Sequence, residues 1–562
     1  MASPQPRLVA PARNDHSALA SPSECPRKSA SKHSKENAGR PPGRVGCRGQ
    51  LAGLGWLIYC AACAWLGLGL NRLAVDAAPF PGPDLSTCGP PNLPTGVQPT
   101  DCCPPYTSTV VDFKLPSPTE PLRVRPAAHL VDADYLAMYK KAVELMKALP
   151  DDDPRSFKQQ ANVHCAYCNS AYNQLGFPGL ELDVHNSWLF FPFHRFYLYF
   201  NERILRKLIC NDTFALPFWN WDAPDGMQIP SIYTDTSSPL YDNLRNANHQ
   251  PPALVSLSFS GTKPPAQQIQ NNLQVMKREI ITGAATAQLF LGAAYRAGDQ
   301  PDPGAGTVER ESHSSVHWWT GDPTHKTEDM GAFYSAGRDP IFFAHHGNVD
   351  RMWYLWRGLG STHQDFTDPD WLNSTFLFYD ENAQLVRVRV QDCLDISALR
   401  YAYQDVDIPW INVTATPAKA PLTRIAFTKP QKITFPLVLD NAASATVARP
   451  AFGSTTAKEE EVLVVDGVQM EKDQLVQFDV FINAANFFQG LGPQASQFAG
   501  SFIELPHPSK KGSSTSMNTT VRFGLSELLR QIGAATDETI TVTLVPRNGT
   551  VQIGGLSIEF SE

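Results

Sequence analysis

No surplus of positive charge runs through this sequence. Its 55 Asp and Glu outnumber 47 Lys and Arg, leaving a net charge of −8. That balance excludes a protein that grips nucleic acid through the phosphate backbone. Charged residues of either sign are few, 18% of the chain, where roughly a quarter is ordinary for a globular protein. No P-loop and no G-x-G-x-x-G fingerprint is present, which removes the common phosphate- and dinucleotide-binding classes. No repeat period is present either, so a solenoid is set aside. Proline, by contrast, is abundant at 47 residues, as long irregular connections require. At 562 residues the chain exceeds what one core can hold, and two or three domains are expected.

The amino-terminal region reads as an address. Residues 1–49 hold nine Lys and Arg against three Asp and Glu, a balance of +6. "LAGLGWLIYCAACAWLGLGL" (51–70) follows, twenty residues without a charge and long enough to cross a bilayer. The small residues of "AVDAAPFPGP" then offer a cleavage site. We therefore expect a basic Ser/Pro-rich targeting region at 1–50 and an apolar targeting or signal-anchor segment at 51–80. Two routes fit: a bipartite signal leading to an organelle lumen, or a signal anchor for the secretory pathway. Uncleaved, residues 51–70 would be the chain's membrane contact. No twin arginine precedes them, and five Asn-x-Ser/Thr sequons (Asn211, Asn373, Asn412, Asn518 and Asn548) tilt towards secretion.

Eleven cysteines sharpen the compartment. Cys25, Cys47, Cys60 and Cys63 lie in or before the apolar run. Cys88, Cys102, Cys103, Cys165, Cys168, Cys210 and Cys393 remain. "STCGPPNLPTGVQPTDCCPPY" (86–106) has almost no apolar residue to pack, so disulfides are its easiest route to order. Those form in an oxidising compartment.

"DADYLAMYKKAVELMKALP" (132–150) carries a helical apolar stripe and ends at Pro150 and an acidic turn. "FHRFYLYFNERILRKLI" (193–209) is a second helix, with Pro192 just before its start. "QNNLQVMKREIITGAATAQLFLGAAY" (270–295) and "HHGNVDRMWYLWRGL" (345–359) add helical material. Residues 84–410 thus read as one mainly helical domain with long loops. The Thr/Pro/Ala-rich stretch at 411–428 reads as a linker. Beyond it, at 429–562, come short β-type runs such as "EEVLVVDGVQM", "LVQFDVFINA" and "TITVTLV", with one short helix, "LSELLRQIG", among them. Turn residues separate the runs, the pattern of an antiparallel β-sandwich. The whole is a multidomain α + β chain. No histidine cluster falls in the β half, and no chemistry is expected there.

Fourteen histidines are present, and eight fall in two windows. The first holds His164, His185 and His194; the second holds His313, His317, His325, His345 and His346. His313 and His317 are four apart, so on a helix they share a face and can grip one ion. His185 and His194 are nine apart with Pro192 between them, which places them on a loop and on the helix start that follows. Two groups of three imidazoles imply two metal ions, and such sets suit copper or zinc rather than calcium or magnesium. A zinc protease would need glutamate after the first histidine of the i, i+4 pair, and residue 314 is serine. His325, in a polar loop, and His363 read as ordinary hydrogen-bonded histidines. Spacing alone does not choose between His345 and His346.

"HNSWLFFPFHRFYLYFNE" and "DPIFFAHHGNVD" resemble the two copper-binding signatures of the tyrosinase family of type-3 dicopper proteins. "HCAYC", "DWL" (370–372), "YAYQDVDIPW" (401–410) and "QFDVFI" narrow the resemblance to plant polyphenol oxidases (catechol oxidases), from about Cys88 to the C-terminus. The resemblance implies that His164, His185 and His194 hold one copper and His313, His317 and His346 the other. His346 is selected over His345 by its place four residues before Asp350. Also implied are a thioether between Cys168 and His185, which would restrain that imidazole, and disulfides Cys88–Cys103 and Cys102–Cys165. A four-helix bundle with long loops would cradle the metals, and Cys210 and Cys393 are left as buried free thiols. Glu309 matches an acidic residue that orients a water, a candidate for proton handling, and Phe333 matches the aromatic gate over the second copper. Asp350 is expected on a ligand imidazole and Arg351 in an ion pair. One departure concerns Ser314, where many relatives carry an asparagine that aids monophenol deprotonation. Serine orients water less firmly, and Trp318 narrows the entrance.

The implied function is a dicopper oxidase that converts catechols to o-quinones while dioxygen is reduced to water, two catechols supplying the four electrons. Monophenol hydroxylation is expected to be weak or absent. The partners are then a small phenol and dioxygen. The β-sandwich, joined by a protease-prone linker, is expected to cover the copper site and keep the chain latent. The alternative is a haemocyanin-like protein that binds dioxygen reversibly. The family's compartment is the chloroplast thylakoid lumen; the secretory pathway, ending in the vacuole or outside the cell, is the other reading.

Overall fold

The computed structural model describes residues 78–261, 263–414, 431–450, 459–484, 491–507 and 515–561. The expected targeting region, the apolar run at 51–70 and most of the expected linker lie outside the described residues. Among those described, no helix is long and apolar enough to cross a membrane.

Helices form where an apolar stripe meets a cap. α1 (Ala133–Lys147) starts at Asp132, whose side chain accepts from the Tyr135 N–H at 2.8 Å. α2 (Phe157–Cys168) starts at Ser156, which accepts from Gln159 at 3.2 Å. Each cap satisfies an N–H that the helix start leaves over. α3 (Phe190–Leu208) begins earlier than its sequence pattern implies. Pro192 sits inside the first turn, where a missing N–H is tolerated because that turn has no intrahelical acceptor. α4 (Pro265–Lys277) runs into a π-helical turn, Arg278–Thr282, before the short α5 (Ala287–Leu291). The expected helical run at 270–295 is therefore broken. A second π-helical turn, Glu309–His313, leads into α6 (Ser314–Thr320); α7 (Ile341–Arg357) and α8 (Pro369–Asn373) complete this part.

α3 and α7 are buried on nearly every side, as helices at the centre of a domain are. A charged network ties them together. Asp350 of α7 accepts from Arg195 Nε of α3 at 2.5 Å, from the Tyr401 hydroxyl at 2.7 Å, from Arg125 at 3.3 Å and from the Tyr403 hydroxyl. Burial opposes ionisation of Asp350, but the guanidiniums and phenols outweigh it and hold the carboxyl below its usual range. Asp350 is thus engaged by these groups and bonds no ligand imidazole, contrary to expectation. Arg351 pairs with Asp222 at 3.1 Å.

Short strands brace this helical part. β1 (Pro83–Asp84) pairs with β4 (Asn173–Gln174), and β2 (Val110–Asp112) joins the hairpin of β5 (Thr375–Tyr379) and β6 (Leu385–Arg389). β3 (Arg123–Arg125) lies parallel to β7 (Tyr401–Tyr403). The Cys/Pro-rich segment is held by bonds Cys88–Cys103 and Cys102–Cys165, the second ending beside His164. Cys393 is a buried thiol. Cys210 is instead exposed and disulfide-bonded, because α3 stops at Leu208 and leaves it beyond the helix with φ 51°.

The C-terminal part is β-rich. Its strands are β8 (Gln431–Lys432), β9 (Leu437–Val438), β10 (Ala443–Ala448), β11 (Glu460–Glu471), β12 (Val476–Ile482), β13 (Phe498–Glu504), β14 (Ser516–Gly524), β15 (Thr539–Asn548), β16 (Val551–Ile553) and β17 (Gly555–Ser561). α9 (Ser526–Gln531) interrupts them. One sheet has the order β13–β12–β15–β10–β8, the other β14–β11–β16–β9 with β17 also on β11. The pairs are antiparallel except β8 with β10. Leu463, Val465 and Phe523 from one sheet and Phe478, Val480 and Val542 from the other share a single core. β12 and β13 are buried throughout, because β13 also meets the helical part. Arg278 Nε donates to the Ala499 carbonyl at 2.9 Å, and the Ser501 N–H donates to Glu311 at 3.0 Å.

Candidate metal centre

Seven buried histidines meet among α2, α3, α6 and α7. His164 (α2), His185 (before α3) and His194 (α3) have ring centroids 5.3, 5.7 and 5.3 Å apart. His313 (end of the π turn), His317 (α6) and His346 (α7) stand 4.6, 5.1 and 5.3 Å apart. The trios face one another, with His194 stacked on His346 at 4.1 Å. The possible ligand atoms within each group lie within 4.8 Å of one another; Cys168 joins the first group and His345 the second.

Hydrogen bonds decide which nitrogen is free. Nδ1 of His164, His194, His313 and His317 donates to the carbonyls of Phe333, Phe190, Glu309 and Met330, at 2.8, 2.8, 3.2 and 2.6 Å. His185 Nδ1 donates to Asp183 Oδ1 at 3.3 Å. A carbonyl only accepts, so Nδ1 carries the proton and Nε2 presents a lone pair. Nε2 of His164, His185, His194 and His313 is buried without a partner, and His317 Nε2 lies 3.2 Å from His346 Nε2. Bare polar atoms at such depth are costly unless something binds them, and an all-imidazole set fits copper. Burial pushes His317 down to about 4 and the other five well below the usual imidazole value, so the rings stay neutral and able to ligate. His345 differs. Trp221 Nε1–H donates to its Nδ1 at 3.1 Å, which leaves the proton on Nε2 and no lone pair facing the others.

Phe333 is placed differently from expectation. Its ring lies parallel to His164 at 6.0 Å and edge-on to His185 at 4.7 Å. It therefore covers the first trio and not the second, because the loop after α6 folds back to bring its carbonyl to His164. Glu309 Oε1 accepts from the Asn186 N–H at 2.6 Å, and its Oε2 is buried without a partner. Burial, opposed by that hydrogen bond, holds the Glu309 carboxyl well above its usual range. Ser314 Oγ donates to the Glu309 carbonyl at 2.9 Å, which commits its proton. Half-buried Trp318 stands edge-on to Phe259. Cys168 is a buried thiol.

The β-rich part also reaches the site, through a residue that sequence reasoning passed over. His507 stacks on the Phe333 ring at 3.6 Å and 16°, with Nδ1 3.2 Å from Glu504 and Nε2 3.7 Å from Asp183. Glu504 in turn accepts from Asn186 Nδ2 at 3.2 Å. A single histidine outside any cluster carries no signal of its own in the sequence.

Residues 154–359 match the family described as the common central domain of tyrosinase. With the paired trios, this makes the chain a dinuclear copper protein of the tyrosinase type. Residues 365–416 match the polyphenol oxidase middle domain, and residues 435–560 the chloroplastic polyphenol oxidase C-terminal domain. The chain is 52% identical over 537 residues to a chloroplastic polyphenol oxidase of Malus domestica, covering 92% of this chain and 89% of that protein. It is 48% identical over 505 residues to (+)-larreatricin hydroxylase of Larrea tridentata, covering 86% of each. Among solved structures it is similar to latent apple tyrosinase, with TM-score 0.77 and 54% identity over 81% of this chain and 100% of that one. The chain belongs to the plant polyphenol oxidase family.

Proposed function

We propose that the protein oxidises catechols to o-quinones with reduction of dioxygen to water, and that it hydroxylates monophenols weakly or not at all. The observation that carries this reading is the pair of facing groups of buried imidazoles, in which the Nε2 atoms of His164, His185, His194 and His313 have no partner. His164, His185 and His194 would hold one copper and His313, His317 and His346 the other, with His345 set aside by its tautomer. Copper bound there supplies the electron transfer between diphenol and dioxygen. The chain's own part is to keep the centre dry, seat the ring and manage protons. Phenols ionise only near ~10, so a group that handles protons helps, and Glu309, with Oε2 buried and unpartnered, is our candidate. The Ser314 hydroxyl commits its proton to the Glu309 carbonyl and can only accept from a water, which supports limited hydroxylation.

A thioether between Cys168 and His185 belongs to this reading, supported by the thiol's membership of the first ligand group. We read α2, α3, α6 and α7 as a four-helix bundle, the two sheets as a β-sandwich, and 84–410, 411–428 and 429–562 as catalytic domain, linker and shielding domain. The shielding domain would keep the chain latent, since His507 lies on the face of Phe333 where a substrate ring would stack. Disulfide bonds support an oxidising compartment, and the name of the Malus relative supports a chloroplast, whose lumen is the site we propose.

Copper analysis, near-ultraviolet absorption after hydrogen peroxide addition, and oxygen uptake on a catechol and its matching monophenol test the reading together. Two coppers per chain, a new near-ultraviolet band and uptake confined largely to the catechol are expected. Zinc in place of copper would end the dicopper reading, and reversible oxygen binding without catechol turnover would make the protein a carrier. Comparable rates on both phenols would overturn the selectivity.

A further inference from the structure

The loop between α6 and α7 gives one carbonyl to each trio. Met330 O accepts from His317 Nδ1 and Phe333 O accepts from His164 Nδ1. Four consecutive residues thus set tautomer and ring direction for one histidine on either side of the centre. His194 and His313 take carbonyls from one turn earlier in their own helical runs, so their orientation follows from the helix. His317 and His164 depend on where the loop stands.

The loop is knotted upon itself by the Gly331 N–H to the Thr327 carbonyl at 2.8 Å and by Ser335 Oγ to the Asp329 carbonyl at 3.1 Å. Asp329 fastens it to the segment 242–245. Its N–H donates to the Leu244 carbonyl at 3.1 Å, and its buried carboxyl, with Oδ1 otherwise unpartnered, adjoins that of Asp242. Asp242 Oδ1 also accepts from the Leu244 N–H at 2.6 Å. Two carboxyls in such contact share a proton, because two like charges at that range repel. Arg245, next in the segment, makes a buried two-point pair with Asp339 at 2.6 and 2.7 Å, and Asp339 caps the first N–H of α7, the helix of His346. One chain of contacts therefore joins the loop to α7.

We propose that Asp329 is a positioning residue for the dicopper centre: paired with Asp242, it holds Met330 and Phe333 where their carbonyls orient His317 and His164 together. It acts through those two carbonyls on both coppers at once and is a ligand to neither. Burial and then the Asp242 charge push the Asp329 carboxyl up to about 8, against Arg338 nearby, in keeping with a shared proton at neutral pH. The inference rests on reading the two trios as copper ligands.

The test compares the full-length, copper-loaded chain with Asp329→Asn, Asp329→Ala and Asp242→Ala. The amide of Asp329→Asn still donates to the Asp242 carboxylate and stands in for the protonated acid. Readouts are copper retained against a graded chelator, near-ultraviolet absorption per copper after hydrogen peroxide addition, and kcat and KM on a catechol. Asp329→Asn should stay within about twofold of wild type throughout. Asp329→Ala should release copper about 10- to 100-fold more readily, as loss of a ligand-orienting contact does, with a weaker band per remaining copper and a fall in kcat larger than any change in KM. Asp242→Ala removes the partner without touching the loop and should move the same readouts the same way, which keeps the test decisive should Asp329→Ala not fold. Wild-type copper retention and absorption in Asp242→Ala would overturn the proposal, as would Asp329→Asn failing as badly as Asp329→Ala. A wild-type chain that takes up no copper would instead remove the dicopper reading on which the proposal stands.

Discussion

Replacing Asp350 distinguishes charge from simple hydrogen bonding as the tie between the helices that carry His194 and His346. The carboxylate is 2% exposed and accepts from two guanidiniums and two phenols. In Asp350→Ala, Arg195 would keep the Cys393 carbonyl at 3.0 Å and its stacking over Trp353 at 3.6 Å, but no counter-charge. Stripping one partner from a buried pair costs about 3–5 kcal/mol. Asp350→Asn keeps shape and one acceptor while removing the charge and aiming an NH2 at donors. If hydrogen bonds alone mattered, Asn would cost about 1 kcal/mol; with charge in control it should cost about 3 kcal/mol or more. Urea unfolding of the copper-free protein, followed by tryptophan fluorescence, reads the difference as a shift of midpoint at constant slope. The sign with pH follows from linkage. The folded carboxyl lies below its unfolded value, so its contribution is complete above that unfolded value, near ~4, and is lost as pH falls through the lower folded one. The gap between wild type and Asp350→Asn should therefore stay level from neutral to mildly acid solution and close only in strong acid. An Asn variant within about 1 kcal/mol of wild type, or a gap that shrinks already near neutrality, would refute this account.

His507→Ala should raise oxygen uptake on a small catechol several-fold in the uncleaved chain; unchanged low uptake would show that something other than His507 shields the site. Ser314→Asn should raise the ratio of monophenol to catechol rates several-fold, since an amide offers a water both donor and acceptor where the committed hydroxyl offers only an acceptor; an unchanged ratio removes Ser314 from the account of selectivity. Met330→Leu should leave copper content within about twofold, because the backbone carbonyl that meets His317 survives a volume-conserving exchange. Gly321→Ala should lose copper, since its new Cβ would stand 2.1 Å from the Thr327 carbonyl and displace the loop; equal copper in wild type and Gly321→Ala would show that the loop's position is not critical.

Much of the helical framework was legible because caps and apolar stripes are local. Asp132 and the stripe behind it mark α1, and the single π-to-α run from Glu309 to Thr320 still keeps His313 and His317 on one side, four residues apart. Misreadings arose where a partner is distant. Asp350 was expected on an imidazole, whereas its partners Arg125 and Tyr401 lie 225 and 51 residues away. Cys210 looked buried because the apolar pattern of α3 runs up to it, yet the helix ends two residues earlier. β10 went unread because "ASATVA" is small and weakly apolar, and it is a strand through its register with β15.

The metal centre shows the same division more sharply. Ligating histidines can be found in a sequence because only certain side chains bind copper, so residue type itself carries the signal. What prepares them to bind does not show, because four of the six proposed ligands take their orienting bond from a backbone carbonyl, and every residue offers one. Phe190, Glu309, Met330 and Phe333 could each change identity and still perform that task, provided the backbone stood in the same place. In the proposed ligand set, the choice between His345 and His346 turns on a single donor, Trp221, 124 residues from His345. Adjacent positions on one helix differ in face, but only the tertiary partner decides which nitrogen is left with a lone pair. Ligand identity is thus a property of the side chain, while ligand readiness is a property of the fold, and substitutions that move backbone around this site should do more harm than those that alter the side chains whose carbonyls orient it.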